Sequence, residues 1–148
     1  MSLEIKINND LKEAMKNKDQ AGLRAIRAIK AAILLFKTDG SGDTLNEERE
    51  IKLLQKLVKQ RQDSLDIFKK QNREDLAMIE MEEIDIIQRY LPEQLDEEKL
   101  KAVIQALIDE TGASGIKDMG KVMGLASQKL AGKADGKTIS AIVKSLLV

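Results

Sequence analysis

Apolar residues recur at helical spacing along nearly the whole chain, and no segment shows the apolar–polar alternation of a half-buried strand. The pattern therefore predicts an all-α fold with seven helices. They cover approximately Leu3–Asn17, Asp19–Lys37, Thr44–Gln71, Arg73–Tyr90, Asp96–Gly112, Lys117–Leu130 and Lys137–Val148.

Polar residues at the ends of the apolar stripes predict where several helices begin and end. Thr44 is followed three residues later by Glu47, a capping-box spacing that predicts the start of the third helix. Asn72 and Asp96 are predicted to cap the fourth and fifth helices, and Gly112 to end the fifth.

The chain has one proline, and it predicts a domain boundary. The residue before a proline avoids the α region, so the fourth helix ends before Pro92. The predicted domains are 1–92, a bundle of about four helices, and 93–148, a small unit of three helices. A unit of that size buries little surface and is only marginally stable alone.

The residue types present narrow the chemistry. There are no cysteines and no histidines, which excludes disulfides, thiolate nucleophiles, imidazole bases and nearly every zinc site. Asp and Glu remain compatible with magnesium or calcium, but no EF-hand spacing is present. We therefore expect neither a metal site nor a cofactor.

The beginning of the chain and its hydropathy bear on location. It starts Met-Ser-Leu-Glu without an apolar targeting run, and no stretch is long enough to span a membrane. The resulting prediction is a cytoplasmic protein, for which a monomer is favoured. Three aromatic residues are too few for the stacking platforms of single-strand binders.

The net charge of zero conceals a strong asymmetry. Residues 74–110 carry twelve acidic and three basic side chains, a net of −9, whereas residues 111–148 carry six lysines and two aspartates, a net of +4. The neutral total therefore hides an acidic middle and a mildly basic C-terminal end.

Several segments, in this order and spacing, resemble the YqeY family. They are Leu23–Ile33, Lys59–Arg61, Asp75–Ala77, Glu80, Glu83–Ile84, Tyr90–Leu95, Lys117–Gly124 and Gly132–Lys137. The resemblance covers the whole chain, and its C-terminal part is similar to the tail domain of GatB, the tRNA-presenting subunit of the glutamine-dependent tRNA amidotransferase.

The resemblance implies an all-helical, two-domain protein whose C-terminal domain contacts the body of a tRNA. It also implies the family's functional label, carbon–nitrogen ligase activity with glutamine as amido-N-donor. The chain has neither the Ser-Ser-Lys set of the amidase partner nor a visible phosphate and magnesium cradle. We therefore expect no catalysis by the chain alone and predict no catalytic residue.

The candidate tRNA-binding residues lie in the sixth predicted helix and the loop after it. They are Lys117, Gly120, Lys121, Gly124, Lys129, Lys133 and Lys137. The lysines either neutralise phosphates, helped by backbone amides of the loop at the start of the last helix, or form an ordinary solvated face. The two glycines share a helical face and serve either close approach of RNA or close packing of another helix.

Arg61 occupies a polar position in an otherwise apolar stripe of the third helix. It is either an exposed functional arginine or a structural ion pair with Glu80 or Glu83 of the next, antiparallel helix. Arg61 and Glu83 are equidistant from the intervening turn, and such a pair fixes register. The neighbouring acidic residues form either a catalytic or metal pair or, as favoured here, a solvated face. The methionines Met78, Met81, Met119 and Met123 are predicted core residues.

Three functions remain open at this point. The leading hypothesis is a non-catalytic protein that binds tRNA, or a tRNA-modifying enzyme, by shape and phosphates rather than by reading bases. The second is an accessory subunit of an amidotransferase. The third is a protein–protein adaptor that uses the acidic 74–110 face and does not bind RNA.

Overall fold

The computed structural model describes residues 1–148 and contains seven α-helices, one short 3-10 turn and no strand, which confirms the all-α prediction. The helices are α1 (Leu3–Lys16), α2 (Gln20–Lys37), α3 (Glu47–Lys70), α4 (Glu74–Gln88), α5 (Glu97–Thr111), α6 (Met119–Lys129) and α7 (Gly136–Leu147), with the 3-10 turn at Ile116–Asp118. None of these helices is both long and apolar enough to cross a membrane.

The chain divides into two compact units, Met1–Leu91 and Pro92–Val148. In the N-terminal unit, α2 packs against α1 and α4, and α3 packs along α4. Each helix contributes an apolar stripe, as its sequence period requires. The main core consists of Leu3, Ile7, Ala14, Leu23, Ala25, Ile26, Ile29, Ile33, Leu54, Ile86 and Ile87.

Two predicted caps of the N-terminal unit are wrong. The Asn46 side chain, not that of Thr44, caps α3 by accepting a hydrogen bond from the Arg49 amide at 2.9 Å. Asn72 does not cap α4 but ends α3 in the left-handed conformation at φ 56°. The Arg73 amide then donates back to the Phe68 carbonyl at 2.9 Å, as in a Schellman ending. Asparagine suits both positions because its short amide caps helices and tolerates the left-handed region.

Two methionines predicted in the core lie on the surface of α4. The exposed fractions of Met78 and Met81 are 62% and 52%. The prediction for these two residues is therefore wrong, and the residues that α4 buries are Ala77, Ile84, Ile86 and Ile87.

The C-terminal unit packs α5, α6 and α7 around a core of its own. Asp96 caps α5 by accepting from the Lys99 amide at 2.8 Å, and Gly112 ends it at φ 68°, as predicted. Gly115 has φ 78° and ψ 171°, a conformation open essentially to glycine alone. The core consists of Leu100, Ile104, Leu107, Ile108, Val122, Ala126, Leu130, Ile139, Ile142, Val143 and Leu147.

Candidate nucleic-acid interface

Four candidate residues lie together on the solvent side of the 3-10 turn and α6. Lys117, Gly120, Lys121 and Gly124 are all exposed, and their spacings of three and four residues place them on one face. We call this surface the glycine face. A Cβ atom added at Gly120 or Gly124 would meet no other atom within 4 Å. The helix-packing interpretation is therefore wrong within this chain, because no helix lies over either glycine.

The open glycines leave the backbone of α6 accessible. Each glycine costs about 1 kcal/mol relative to alanine inside a helix, and here no contact within the chain offsets that cost. A helix surface without side chains at two successive turns lets a bulky group approach the backbone closely. The glycine face therefore has the shape expected for contact with an extended ligand.

The charge of the glycine face comes from lysines without carboxylate partners. The ion pair in residues 92–148 joins Lys101 and Glu97, so Lys117 and Lys121 belong to none. The nearby Asp118 carboxylate accepts a hydrogen bond from the Ser114 amide at 2.8 Å. The two lysine ammonium groups therefore remain available to an anion from outside the chain.

The other three candidate lysines do not lie on the glycine face. Lys129 is exposed at the last residue of α6, where the helical period turns it away from Gly120 and Gly124. Lys133 and Lys137 border a separate cleft of about 500 Å³, together with Gln94 and Asp135. The structure thus separates the predicted set into one face with two lysines, one isolated lysine and one cleft with two.

A residue that the sequence analysis left without a role holds the loop before α7. The Gln94 amide donates to the carbonyl of Pro92 at 2.8 Å and to that of Gly132 at 2.6 Å. The Leu95 amide donates to the Lys133 carbonyl at 3.1 Å. Gly132 is buried with φ 77°, a conformation that favours glycine. The only feature of the sequence that pointed to this structural role of Gln94 was its position within the Tyr90–Leu95 motif.

The start of α7 was considered in the sequence analysis as a site where backbone amides bind phosphate. The Asp135 carboxylate caps the helix and accepts a hydrogen bond from the Thr138 amide at 2.6 Å. A carboxylate already satisfies this helix end and adds negative charge there. The Thr138 amide is therefore not free to bind a phosphate, and the flanking lysine side chains remain candidates.

Arg61 and Glu83 face each other between α3 and α4. Arg61 Nε lies 3.7 Å from Glu83 Oε1, and the two side chains are only 17% and 13% exposed. Arg61 Nη1 donates to the Leu57 carbonyl at 3.1 Å, while Nε lacks a hydrogen-bond acceptor. Glu80 is in no ion pair, and its pKa is raised by burial and by the charge of Glu83, against the opposing effect of Arg61.

The carboxylates of the chain form no metal-binding group of three or more ligands. In the N-terminal unit, the Tyr90 hydroxyl donates a hydrogen bond to the Asp10 carboxylate, which links the residues after α4 to α1. Burial is the main cause that raises the pKa of Tyr90. This motif tyrosine therefore contributes to packing of the N-terminal unit.

Several fungal proteins resemble this chain in sequence, and each is called altered inheritance of mitochondria protein 41, mitochondrial. The protein from Clavispora lusitaniae is 40% identical over 108 residues, which cover 71% of this chain and 62% of the relative. The one from Lachancea thermotolerans is 40% identical over 57% of this chain and 46% of its own length. The protein from Pyrenophora tritici-repentis is 27% identical over a stretch that covers 96% of this chain and 79% of the relative.

The chain thus spans between about half and two thirds of the length of the first two relatives. The names of these relatives place them in mitochondria, which contradicts the cytoplasmic location predicted above. That prediction relied on the residues at the start of the chain, and these do not determine the compartment.

A comparison with models of protein families assigns this chain to a family. The model, described as "Yqey-like protein", matches residues 4–147, which includes every helix and both units. It also spans the glycine face, the Gln94 bridge and the Arg61–Glu83 pair. The chain therefore belongs to the YqeY family.

Proposed function

We propose that the C-terminal unit binds tRNA through its phosphates and recognises the shape of the folded RNA. One observation carries the proposal. The glycine face presents two unpaired lysines beside an uncovered stretch of helix backbone. Lysine ammonium groups bind phosphate as point charges, and a bare helix surface lets the RNA backbone come close.

The composition of this unit supports shape recognition without base readout. Residues 92–148 contain no aromatic side chain and no arginine, the groups that stack on or pair with bases. The charged candidate residues of this unit are lysines, which neutralise phosphates regardless of the RNA sequence. Affinity should therefore depend on salt and on RNA fold more than on the identity of any base.

The GatB resemblance supports tRNA as the RNA class and a tRNA amidotransferase as an associated enzyme. In this proposal the chain supplies binding, and chemistry on the tRNA belongs to a partner. The absence of cysteine and histidine leaves the chain without the usual nucleophile and base. The carbon–nitrogen ligase label of the family would then describe an assembly rather than this chain alone.

Titration of the full chain with total tRNA at several salt concentrations tests the proposal. Binding should weaken steeply with salt, because each neutralised phosphate releases counterions. Lys121→Ala should lower the log–log salt slope by about one and weaken all tRNAs alike. Lys12→Ala is the matched control, because Lys12 is an exposed and unpaired lysine of α1. Wild-type chain without salt-sensitive binding at low ionic strength would overturn the proposal.

A further inference from the structure

The N-terminal unit contains an apolar groove between α2 and α3, with a volume of about 470 Å³. Ala32, Leu35 and Phe36 of α2 form one wall, and Leu53 and Leu57 of α3 form the other. We call it the α2–α3 groove. It lies within the N-terminal unit and shares no residue with the glycine face.

The groove follows from how the helices pack. The α3 helix packs mainly against α4, and α2 packs against both α1 and α4, so α2 and α3 touch each other over only a short stretch. The apolar side chains at their facing edges therefore lack a partner. Leu35, which lines the groove, is 70% exposed.

The rim of the groove is basic. Arg49, Lys52 and Lys56 of α3 line it, against the single carboxylate of Asp39. Arg49 and Lys52 pair with exposed carboxylates of neighbouring residues at 3.7 and 3.2 Å, respectively. Pairs of this kind contribute little and exchange readily for other anions. Lys56 has no ion pair within the chain.

We propose that the α2–α3 groove docks an acidic amphipathic helix of a partner protein. A concave apolar strip between two helices accommodates the apolar stripe of a third, and the basic rim complements acidic residues flanking that stripe. A small molecule sealed in a pocket would leave Leu35 largely exposed, whereas a helix laid along the groove covers it. A flat membrane surface would not reach the concave floor.

The geometry specifies the pattern of the partner helix. Apolar residues at positions i, i+3 or i+4, and i+7 would enter the groove beside Leu35 and Leu57. Glutamate or aspartate next to the stripe would face Lys56 and the other rim cations. Basic residues at the same positions would be repelled, so charge sets the partner class.

Selection from two displayed peptide libraries tests this assignment on the full chain. Both libraries fix the apolar stripe of a helix, and the flanking positions are acidic in one and basic in the other. The acidic library should yield binders, and the basic library should not. Nuclear magnetic resonance shifts on adding a selected peptide should map to Ala32, Leu35, Leu53 and Leu57.

Two matched pairs of variants locate the binding. Leu35→Ser should weaken a selected peptide by about 10-fold or more, the loss expected for a central apolar contact, and Leu34→Ser should leave it nearly unchanged. Leu34 is a suitable control because it is 63% exposed next to Leu35 but does not line the groove. Lys56→Glu should weaken binding several-fold, whereas Lys12→Glu should not.

Three results would overturn the proposal. They are no binder from the acidic library, equal enrichment from the basic library, or selected peptides that are insensitive to Leu35→Ser. Vesicles of phosphatidylcholine and phosphatidylserine should not bind the chain, and vesicle binding lost equally on changing Leu34 or Leu35 would assign this surface to a membrane instead. Leu35→Ser should leave tRNA titrations unchanged, so this proposal and the proposed function can fail separately.

Discussion

The two units of the chain differ in how many of their charged side chains form ion pairs. Eight ion pairs join side chains of residues 1–91, and they include the mostly buried Arg61–Glu83 pair. One ion pair, Lys101–Glu97, lies in residues 92–148. About half of the basic side chains of the N-terminal unit thus pair with its own carboxylates, whereas Lys117 and Lys121 of the C-terminal unit are in no ion pair. Net charge alone does not reveal this difference.

The glycines show the same contrast. Gly22 of α2 lies against the Asp19 carboxylate that caps the helix, and a Cβ atom there would collide with it. Gly124 of α6 faces open space. A glycine within a helix therefore signals internal packing in the first unit and an unoccupied surface in the second.

The largest expected effect concerns the buried pair of the N-terminal unit. Arg61→Ala should destabilise the protein by about 2–4 kcal/mol, because it leaves the Glu83 charge buried without a partner. Urea unfolding measures the loss. A double-mutant cycle should show coupling with Glu83→Ala and little with Glu80→Ala. If Arg61→Ala and Glu83→Ala showed no coupling, the Arg61–Glu83 pair would not stabilise the fold.

The next effect tests the external role of the C-terminal lysines. Replacing Lys117 and Lys121 together by glutamate should weaken tRNA binding by about 100-fold at low salt, since two phosphate contacts become repulsive. Thermal unfolding should be nearly unchanged, because neither lysine is in an ion pair. Equal weakening by glutamate at Lys12 and Lys16 of α1 would show that binding depends on total charge only.

Replacing a helical glycine by alanine should change the stability of the protein by a smaller amount, and the sign of the change should differ between the two units. Gly124→Ala should stabilise the protein by up to about 1 kcal/mol, because the new methyl group meets no atom and alanine favours the helix. It should weaken tRNA binding if RNA approaches the glycine face. Gly22→Ala should instead destabilise by about 1 kcal/mol, since the Asp19 cap must shift. Paired melting curves and tRNA titrations measure both.

The smallest effect concerns Glu80. Its pKa is raised by burial, so its ionised form is disfavoured in the folded state and opposes folding above that pKa. Glu80→Gln should therefore raise the melting temperature slightly at neutral pH. The difference should vanish at acidic pH, where Glu80 is protonated in the wild type as well. A melting-temperature difference that grows on acidification would contradict this assignment.

Helical periodicity predicted all seven helices, and the chemistry of Asp96 and Gly112 predicted both ends of α5, because these are local effects. The cap of α3 was missed because Thr44 and Asn46 both suit a cap and only the folded backbone selects one. The role of Gln94 was missed because its acceptor, the Gly132 carbonyl, is distant in sequence.

The sequence by itself determined the helices and the residue types that the chain lacks, and it suggested the seven residues of the candidate interface. Only the tertiary structure decided that Gly120 and Gly124 lie uncovered, that Lys133 and Lys137 belong to a separate cleft, and that Glu83 rather than Glu80 faces Arg61. The reason is that periodicity fixes the face of a helix on which a residue lies. What lies opposite that face depends on contacts between residues far apart in the chain.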